Sequence, residues 1–408
     1  MTPRDLTIRP ETAIYLCAPV RTPIGRFGGA LAACSAADLG SAAAAACLAR
    51  SGCPPAAVDQ TVFGHARQAG GGPNTARQVA HRAGVPDERP AWTVNQACGS
   101  GLQAVFAAAR AILTGEAELV LAGGTESMSN TPYLLPRARW GYRLGDAELV
   151  DGMYRDGFDD PLSCLVMGET AEELAVEAAI DRAAADAWAA GSQQRCEAAR
   201  RRGRFGGEIA AVVVEGRGGA ISVDADEHPR DGVTSEQLAR LPTVFRDGGT
   251  VTAGNASGIT DGAAAVLVAG AAALARHDLT AVARLVGWQA VGVDPRVMGI
   301  GPVPAVRRLL DECGTALDEI EEMELNEAFA SQVLACLAEL PIDRDRVNPD
   351  GGAIALGHPI GATGCRILVT LLHGMAERRR RLGIATLCVS GGMGLAALVE
   401  RLDGRLTL

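Results

Sequence analysis

Three side chains in this chain could do covalent chemistry together, and each sits in a run of glycines. Cys98 stands in VNQACGSGLQAV and Cys388 in LCVSGGMG. His358 stands in GGAIALGHPIGATG, residues 351–364, which holds five glycines; the whole 408-residue chain has only six histidines. A thiolate attacks carbonyl carbon, and an imidazole can take the thiol's proton near neutral pH. A second thiol can then give or take a proton at the other reacting atom. The set suits acyl transfer through a thioester.

Each residue also has an ordinary reading. Cys98 precedes a helical stretch, whose start would stabilise a thiolate; alone it reads as a buried cysteine at a tight turn. Cys388 ends a run read as buried strand, and the glycines after it give an open strand end, where sites of α/β folds lie. His358 alone reads as a turn histidine. Asn326, in ELNEAFA, lies between strand-like EEMEL and a helix and reads as an N-cap. Asn255 to Ser257 read as turn residues before a strand. Only together, in glycine-rich runs at element ends, do they point to a site. No Gly-x-Ser-x-Gly elbow of a serine hydrolase is present.

The elements that must position these residues occur twice. After Cys98, Leu102, Val105, Phe106, Ala109, Ile112 and Leu113 fall at helix spacing, and ELVLAGG reads as a buried strand. In the second half GHPIGATG reads as a glycine loop ahead of an apolar helical stretch, Ile367 to Leu372. The arginine run 378–381 reads as a solvated helix end, and IATLCVSGG as another buried strand. Gly101 to Gly123 is 22 positions and Gly364 to Gly391 is 27. A repeated loop, helix, strand and glycine pair implies an α/β chain of two related halves. Residues 129–254 lack that rhythm and carry Pro, Tyr, Trp and many charges. With helices expected near Gly168 to Ala178 and Arg182 to Arg201, they read as an inserted or lid domain.

Composition narrows the chemistry. Net charge is −10 and pI about 5.2, which disfavours a nucleic-acid footprint; an anionic small ligand would need a local arginine site. All 38 basic residues are arginine. A Schiff-base lysine, a pyridoxal-phosphate lysine and a phosphate-loop Gly-Lys-Ser/Thr are therefore excluded. The 11 cysteines are scattered without a Cys-x-x-Cys pair, which reads as reduced thiols rather than a disulfide frame. MTPRDLTIRPETAIYL lacks the apolar core of a leader, and no run approaches a membrane span of roughly 20 apolar residues. A soluble cytoplasmic protein is expected.

These segments resemble the thiolase family over nearly the whole chain. The resemblance begins at VRTPIGRFGGAL and continues through VNQACGSGLQAV, LAGGTESMSN, MGETAEELA, TVTAGNASG, VMGIGPVPA, NEAFA, GGAIALGHPIGATG and LCVSGGMG. It implies two related α/β halves in a five-layered α-β-α-β-α core, with a loop domain inserted into the first half. Residues 1–128 and 255–280 would form the N-terminal half and 281–408 the C-terminal half. Residues 129–254 would form the loop domain, serving coenzyme A binding and oligomerisation.

The resemblance also implies roles. Cys98 is similar to the nucleophile, His358 to the base that activates it, and Cys388 to the acid/base at the departing coenzyme A thiolate and the second acetyl group. Asn326 is similar to the residue holding a water that, with His358, stabilises the enolate oxygen. Backbone N–H groups of Cys98 and Ser390 would hold the oxyanion. Arg230 is similar to an arginine near the coenzyme A phosphates, and Ser257 to a pantetheine contact. Met167, Met298, Phe245 and Phe329 are similar to the lining of the pantetheine and acyl channel. Two positions depart from the family: Ser390 stands where Gly is usual, which would strain a site needing φ > 0, and Val166 stands where a channel histidine is often found.

The implied activity is reversible condensation of two acetyl-CoA to acetoacetyl-CoA and CoA, by a ping-pong route through acetyl-Cys98. No metal and no tightly bound cofactor is implied, no nucleic-acid or membrane partner, and a homotetramer or dimer. Thiolysis of longer 3-ketoacyl-CoA, a decarboxylating condensation and a non-catalytic acyl-CoA binder are the alternatives; Cys388 disfavours the decarboxylating enzyme.

Overall fold

Strands that are apolar on both faces must be covered on both faces, and the core is built around them. In chain order its elements are β1 (Ile14–Arg21), α1 (Ala36–Ser51), β2 (Gln60–Gly64), α2 (Thr75–Arg82), β3 (Ala91–Val94), α3 (Ser100–Leu113) and β4 (Leu119–Ser127). There follow α4 (Met167–Glu177), α5 (Arg182–Arg201), β5 (Thr260–Gly270), β6 (Ala281–Gly292), α6 (Pro302–Cys313) and β7 (Glu322–Leu325). The last are α7 (Ala330–Glu339), α8 (Ile360–Arg378), β8 (Leu382–Val389) and β9 (Met393–Arg401). The structure, a computed structural model, describes residues 13–216 and 219–402. Most of the run read for a leader lies outside the described residues.

The main sheet is ten-stranded, in the order β7-β8-β9-β6-β1-β5-β4-β2-β3, with Gly25–Arg26 pairing onto β5. Its two halves repeat. β1 pairs antiparallel with β5, β5 antiparallel with β4, and β4 parallel with β2. Likewise β6 pairs antiparallel with β9, β9 antiparallel with β8, and β8 parallel with β7. The duplication visible in the glycine runs is thus a duplication of strand order. The halves are also joined edge to edge, β1 to β6, through Ile14–Leu285, Tyr15–Arg284 and Leu16–Ala283.

Side-chain alternation builds five layers. On β4, Val120 and Ala122 pack in one cluster with α3 and α8, while Leu119 and Leu121 pack with α1 and α2. On β8, Ala385 and Leu387 join the α3/α8 cluster, while Ile384 packs with α6 and α7. The order is α1/α2, half-sheet, α3/α8, half-sheet, α6/α7. The central helix α8 is buried all round from Ile360 to Met375, with Thr363, Arg366, Thr370 and His373 as its buried polar side chains.

One local expectation fails instructively. GHPIGATG does not precede the helix; α8 begins at Ile360 and contains Gly361 and Gly364. A Cβ on Gly101 would stand 2.8 Å from the Cys365 nitrogen and 3.0 Å from the Ala362 oxygen, and one on Gly364 would collide with the Leu102 backbone. The glycines let α3 and α8 cross backbone to backbone. This close approach outweighs the roughly 0.5–1 kcal/mol that a helical glycine costs. The arginine run differs as well: Arg379 to Arg381 are exposed, but Arg378 turns inward to Glu322 and Asp350.

Between β4 and β5 the two helices fall where the sequence placed them, within a residue. The remainder holds a short helix, Ser235–Leu238, loops, and short two-stranded ribbons, Tyr133–Leu134 with Val150–Asp151, Asp159–Asp160 with Leu165–Val166, and Val212–Gly216 with Gly219–Val223. None of these joins the main sheet. Among the described residues no helix is long and apolar enough to cross a membrane.

Candidate active site

The crossing of α3 and α8 brings their N-termini together, and with them one reactive side chain from each half. Cys98 lies two residues before α3 and follows Ala97, which has φ +45°. His358 lies two residues before α8 and follows Gly357, with φ +105°. The Cys98 thiol meets His358 Nε2 at 3.3 Å.

The neighbours of His358 fix its tautomer. The Thr363 hydroxyl donates its single proton to the Pro359 carbonyl at 2.9 Å. Its oxygen therefore accepts from His358 Nδ1–H, at 2.6 Å. That leaves the Nε2 lone pair facing the Cys98 S–H, as a base must be. Burial, with the charges of Arg366 and Arg67, holds the imidazole down to about 3. Burial pushes the Cys98 thiol above its ordinary value, although the Ser390 backbone N–H, Arg67 and the N–H of Cys98 itself pull the other way. The resting pair is thus neutral thiol and neutral imidazole, not an ion pair.

A buried carboxylate ties this arrangement together. Glu126, at the end of β4, accepts from the backbone N–H groups of Ala66, Arg67 and Gly361, at 3.3, 3.1 and 2.8 Å. His65 Nε2 lies 3.2 Å from it. Burial would raise its pKa, but His65, Arg67 and the Gly361 N–H outweigh burial and leave it below the usual range. Its negative charge sits at the start of α8, where a helix favours an anion, and locks the loop after β2 to the segment carrying His358.

Cys98, His358, Cys388 and Ser390 line one cavity of about 420 Å³. So do Arg230, Ser257, Met167, Met298, Phe245 and Phe329, together with Val166. Phe245 and Phe329 meet edge to face at 6.4 Å, and Met167, Met298, Phe329 and Cys388 pack in one apolar cluster. Burial, with Cys98 and Cys336 nearby, pushes the Cys388 thiol well up. Ser390 is free of the strain foreseen for it: the left-handed residues of this turn are Gly391 and Gly392, with φ +84° and +82°. Asn326 does not line the cavity. It is buried just beyond β7, and neither end of its amide bonds to a protein group among the described residues.

Sequence reasoning missed Thr363, Glu126, Arg67 and His228; the last two also line the cavity. Thr363 stood inside the glycine run already singled out, five residues after His358. Arg67 follows the glycine-ended strand β2, and Glu126 follows the glycine pair Gly123–Gly124 within β4, a signal that went unused. For His228, whose Nδ1–H donates to the Ala355 carbonyl at 2.8 Å, no local pattern marks a role.

Comparison with known proteins gives the same two-part division. Residues 14–272 match the thiolase N-terminal domain and residues 279–401 the thiolase C-terminal domain. The chain is 48% identical over 391 residues to an acetyl-CoA acetyltransferase of Cupriavidus necator, covering 96% of this chain and all of that protein. It is 49% identical over 389 residues to one of Pseudomonas aeruginosa, covering 95% and 99%. Among solved structures it is similar to the Bacillus anthracis acetyl-CoA acetyltransferase, with TM-score 0.94, 41% identity and coverage of 96% and 99%. It is about as similar to the human mitochondrial 3-ketoacyl-CoA thiolase in complex with CoA, with TM-score 0.92, 41% identity and coverage of 96% and 98%.

Proposed function

We propose, from the premise that the chain belongs to the thiolase family and is an acyltransferase, that it reversibly condenses two acetyl-CoA to acetoacetyl-CoA and CoA. The observation that carries the reading is the 3.3 Å contact between Cys98 Sγ and a His358 Nε2 whose tautomer is fixed from behind. Cys98 attacks the thioester carbonyl as its proton passes to His358. The backbone N–H groups of Cys98 and Ser390 hold the oxyanion; one such donor is worth roughly 2.7–4 kcal/mol of barrier. Cys388 protonates the departing CoA thiolate. As a thiolate, Cys388 then removes a methyl proton from the second acetyl-CoA, whose enolate oxygen is held by His358 and a water on Asn326. The carbanion takes the acetyl group from Cys98, and the freed sulfur recovers its proton from His358.

The substrates are acetyl-CoA, acetoacetyl-CoA and CoA, with no tightly bound cofactor. Arg230 would face the CoA phosphates, with Ser257 on the pantetheine arm and Met167, Met298, Phe245 and Phe329 along the channel. Residues 129–254 supply several of these and would act as the CoA-binding insertion. In the same segment Tyr133, Leu135, Trp140, Leu144 and Leu149 are exposed, apolar surface that a homotetramer or dimer would cover. We place the enzyme in the cytoplasm.

Incubation with acetyl-CoA should add one acetyl group to the intact chain. An adduct that persists in Cys98→Ala would reject the nucleophile. Cys388→Ser should keep adduct formation better than condensation; equal loss of both counts against the proton shuttle. Similarity to a 3-ketoacyl-CoA thiolase keeps longer chains in view. Thiolysis rates on C4 to C16 3-ketoacyl-CoA separate the two, and a rate rising with chain length sinks the short-chain reading.

A further inference from the structure

Asn326 presents an amide that no protein group takes up. It is buried, and among the described residues neither Nδ2 nor Oδ1 has a hydrogen-bond partner. Such an amide serves a molecule that is not protein. With no partner of its own, it takes its aim from the backbone beneath it.

That backbone is pinned on both sides by buried polar side chains. Before it, Asn348 takes both polar groups of Leu325, accepting from its N–H and donating to its carbonyl, each at 2.8 Å. The Asn326 N–H donates to the Thr386 carbonyl at 3.0 Å. After it stands Glu327, fully buried, whose two oxygens accept from four donors. Oε1 takes Trp188 Nε1–H and Asn348 Nδ2–H, both at 3.0 Å. Oε2 takes the Ser192 hydroxyl at 2.6 Å and the Ile354 N–H at 3.2 Å. A Cβ on Gly352 would stand 2.3 Å from the carboxyl carbon, so the main chain there is drawn up against it.

The donors come from separate parts of the chain. Trp188 and Ser192 lie on α5, in the insertion. Asn348 holds the end of β7, and Ile354 lies four residues before His358. The neighbouring α5 residue Gln193 accepts from the Arg230 N–H at 3.0 Å and donates to the Ile354 carbonyl at 3.3 Å. Glu327 thus knots the backbone of Asn326 to the segment that carries the imidazole. It does not itself line the cavity.

We infer that Glu327 is a positioning residue for the enolate oxygen: it sets the aim of Asn326 relative to His358 through its bonds from Trp188, Ser192, Asn348 and Ile354. This rests on the thiolase reading and on the place of Asn326 in it. His358 as a base has separate supports, Thr363 and the bond from Gly361 to Glu126. Glu327 therefore bears on enolate chemistry more than on activation of the thiol.

Two routes to acetyl-Cys98 separate those roles. From acetyl-CoA the Cys98 sulfur bonds to the carbonyl carbon, the C–S bond breaks, and the CoA thiolate takes a proton from Cys388. From acetoacetyl-CoA the sulfur bonds to C3, and the C2–C3 bond breaks with its electron pair passing to C2. The enolate of acetyl-CoA so formed takes the proton from Cys388 instead. In both the Cys98 proton passes to His358, and only the second route makes an enolate. The readout is the ratio of single-turnover acetylation rates, acetoacetyl-CoA over acetyl-CoA, read by intact mass.

Glu327→Gln keeps the shape, but at either oxygen position its NH2 meets an N–H donor. It should lower the ratio about tenfold or more. A fall of less than about threefold overturns the proposal, including the case in which both rates drop together, as a merely structural role would have it. Should Glu327→Gln not fold, Trp188→Phe and Ser192→Ala each remove one donor and should each lower the ratio about threefold or more; smaller falls in both overturn it. Asn326→Ala runs alongside. If it leaves the ratio unchanged, the enolate reading of Asn326 fails and the proposal with it. If it lowers the ratio while Glu327→Gln does not, only the role of Glu327 is refuted. A wild type acetylated by neither thioester refutes the thiolase reading itself.

Discussion

Thr363→Val tests whether the tautomer of His358 is set by its neighbour. The change keeps the side-chain shape and removes the hydroxyl. In the native site Thr363 accepts from Nδ1 at 2.6 Å and spends its own proton on the Pro359 carbonyl. With valine, a buried Nδ1–H loses its acceptor, at a cost of about 1–3 kcal/mol. The ring can escape that cost by moving the proton to Nε2, where it blocks transfer from Cys98. At 1.36 kcal/mol per decade, the productive form and the acylation rate fall roughly 5- to 150-fold. The assay is single-turnover acetylation of Cys98 from acetyl-CoA, quenched and read by intact mass. Thr363→Ser restores the acceptor and should stay within about threefold of wild type, since the same hydrogen bond is kept. A folded Thr363→Val protein that acylates within twofold of wild type would refute the reasoning, as would a serine variant as slow as valine.

Other outcomes follow from the same geometry. Alkylation of Cys98 by iodoacetamide should keep rising with pH beyond 9, because burial raises this thiol and His358 stays neutral down to about 3; a plateau below pH 7 would mean an ion pair. Gly364→Ala drives a Cβ into the Leu102 backbone, so it should lower stability by about 1–3 kcal/mol or more and impair acylation, and a denaturant midpoint equal to wild type would contradict the close crossing. His373 is buried, with Nε2 3.0 Å from the Pro19 carbonyl, and burial holds it down to about 4. Its ordinary value is 6.5, so between 6.5 and 4 the unfolded chain binds the proton first; the contribution is whole above 6.5 and lost as pH falls toward 4, about 3 kcal/mol at most. Denaturation curves of His373→Gln should therefore be flatter across that window than those of wild type, and an unchanged slope would dismiss the assignment.

The candidate site residues were legible because their local surroundings are unusual. A thiol or imidazole among glycines at an element end is rare enough for three of them to form a pattern, and the structure brings Cys98, His358 and Cys388 to one cavity. Helices in the insertion were legible from periodicity. What stayed hidden was tertiary. A glycine that opens a turn and one that admits a crossing backbone look alike in sequence, so Gly361 and Gly364 were read as loop. The edge pairing of β1 with β6 has no local signature, because nothing in either strand's own residues names its neighbour in the sheet. Arg67 was passed over for a similar reason: nothing in GHARQAGG tells a buried guanidinium from a solvated one.

The crossing of α3 and α8 has a further consequence. Side chains adjust by rotamer, so a gap set by side-chain packing drifts as a sequence drifts. Here the spacing between Cys98 of one half and His358 of the other is gauged by main-chain atoms in contact, with no side chain between them at Gly101 and Gly364. The two helices act as the jaws of a caliper closed to its stop. Substitutions elsewhere can reshape the channel and retune what is accepted while the jaw setting stays fixed. Specificity is thereby free to diverge on a Cys98–His358 spacing that is not.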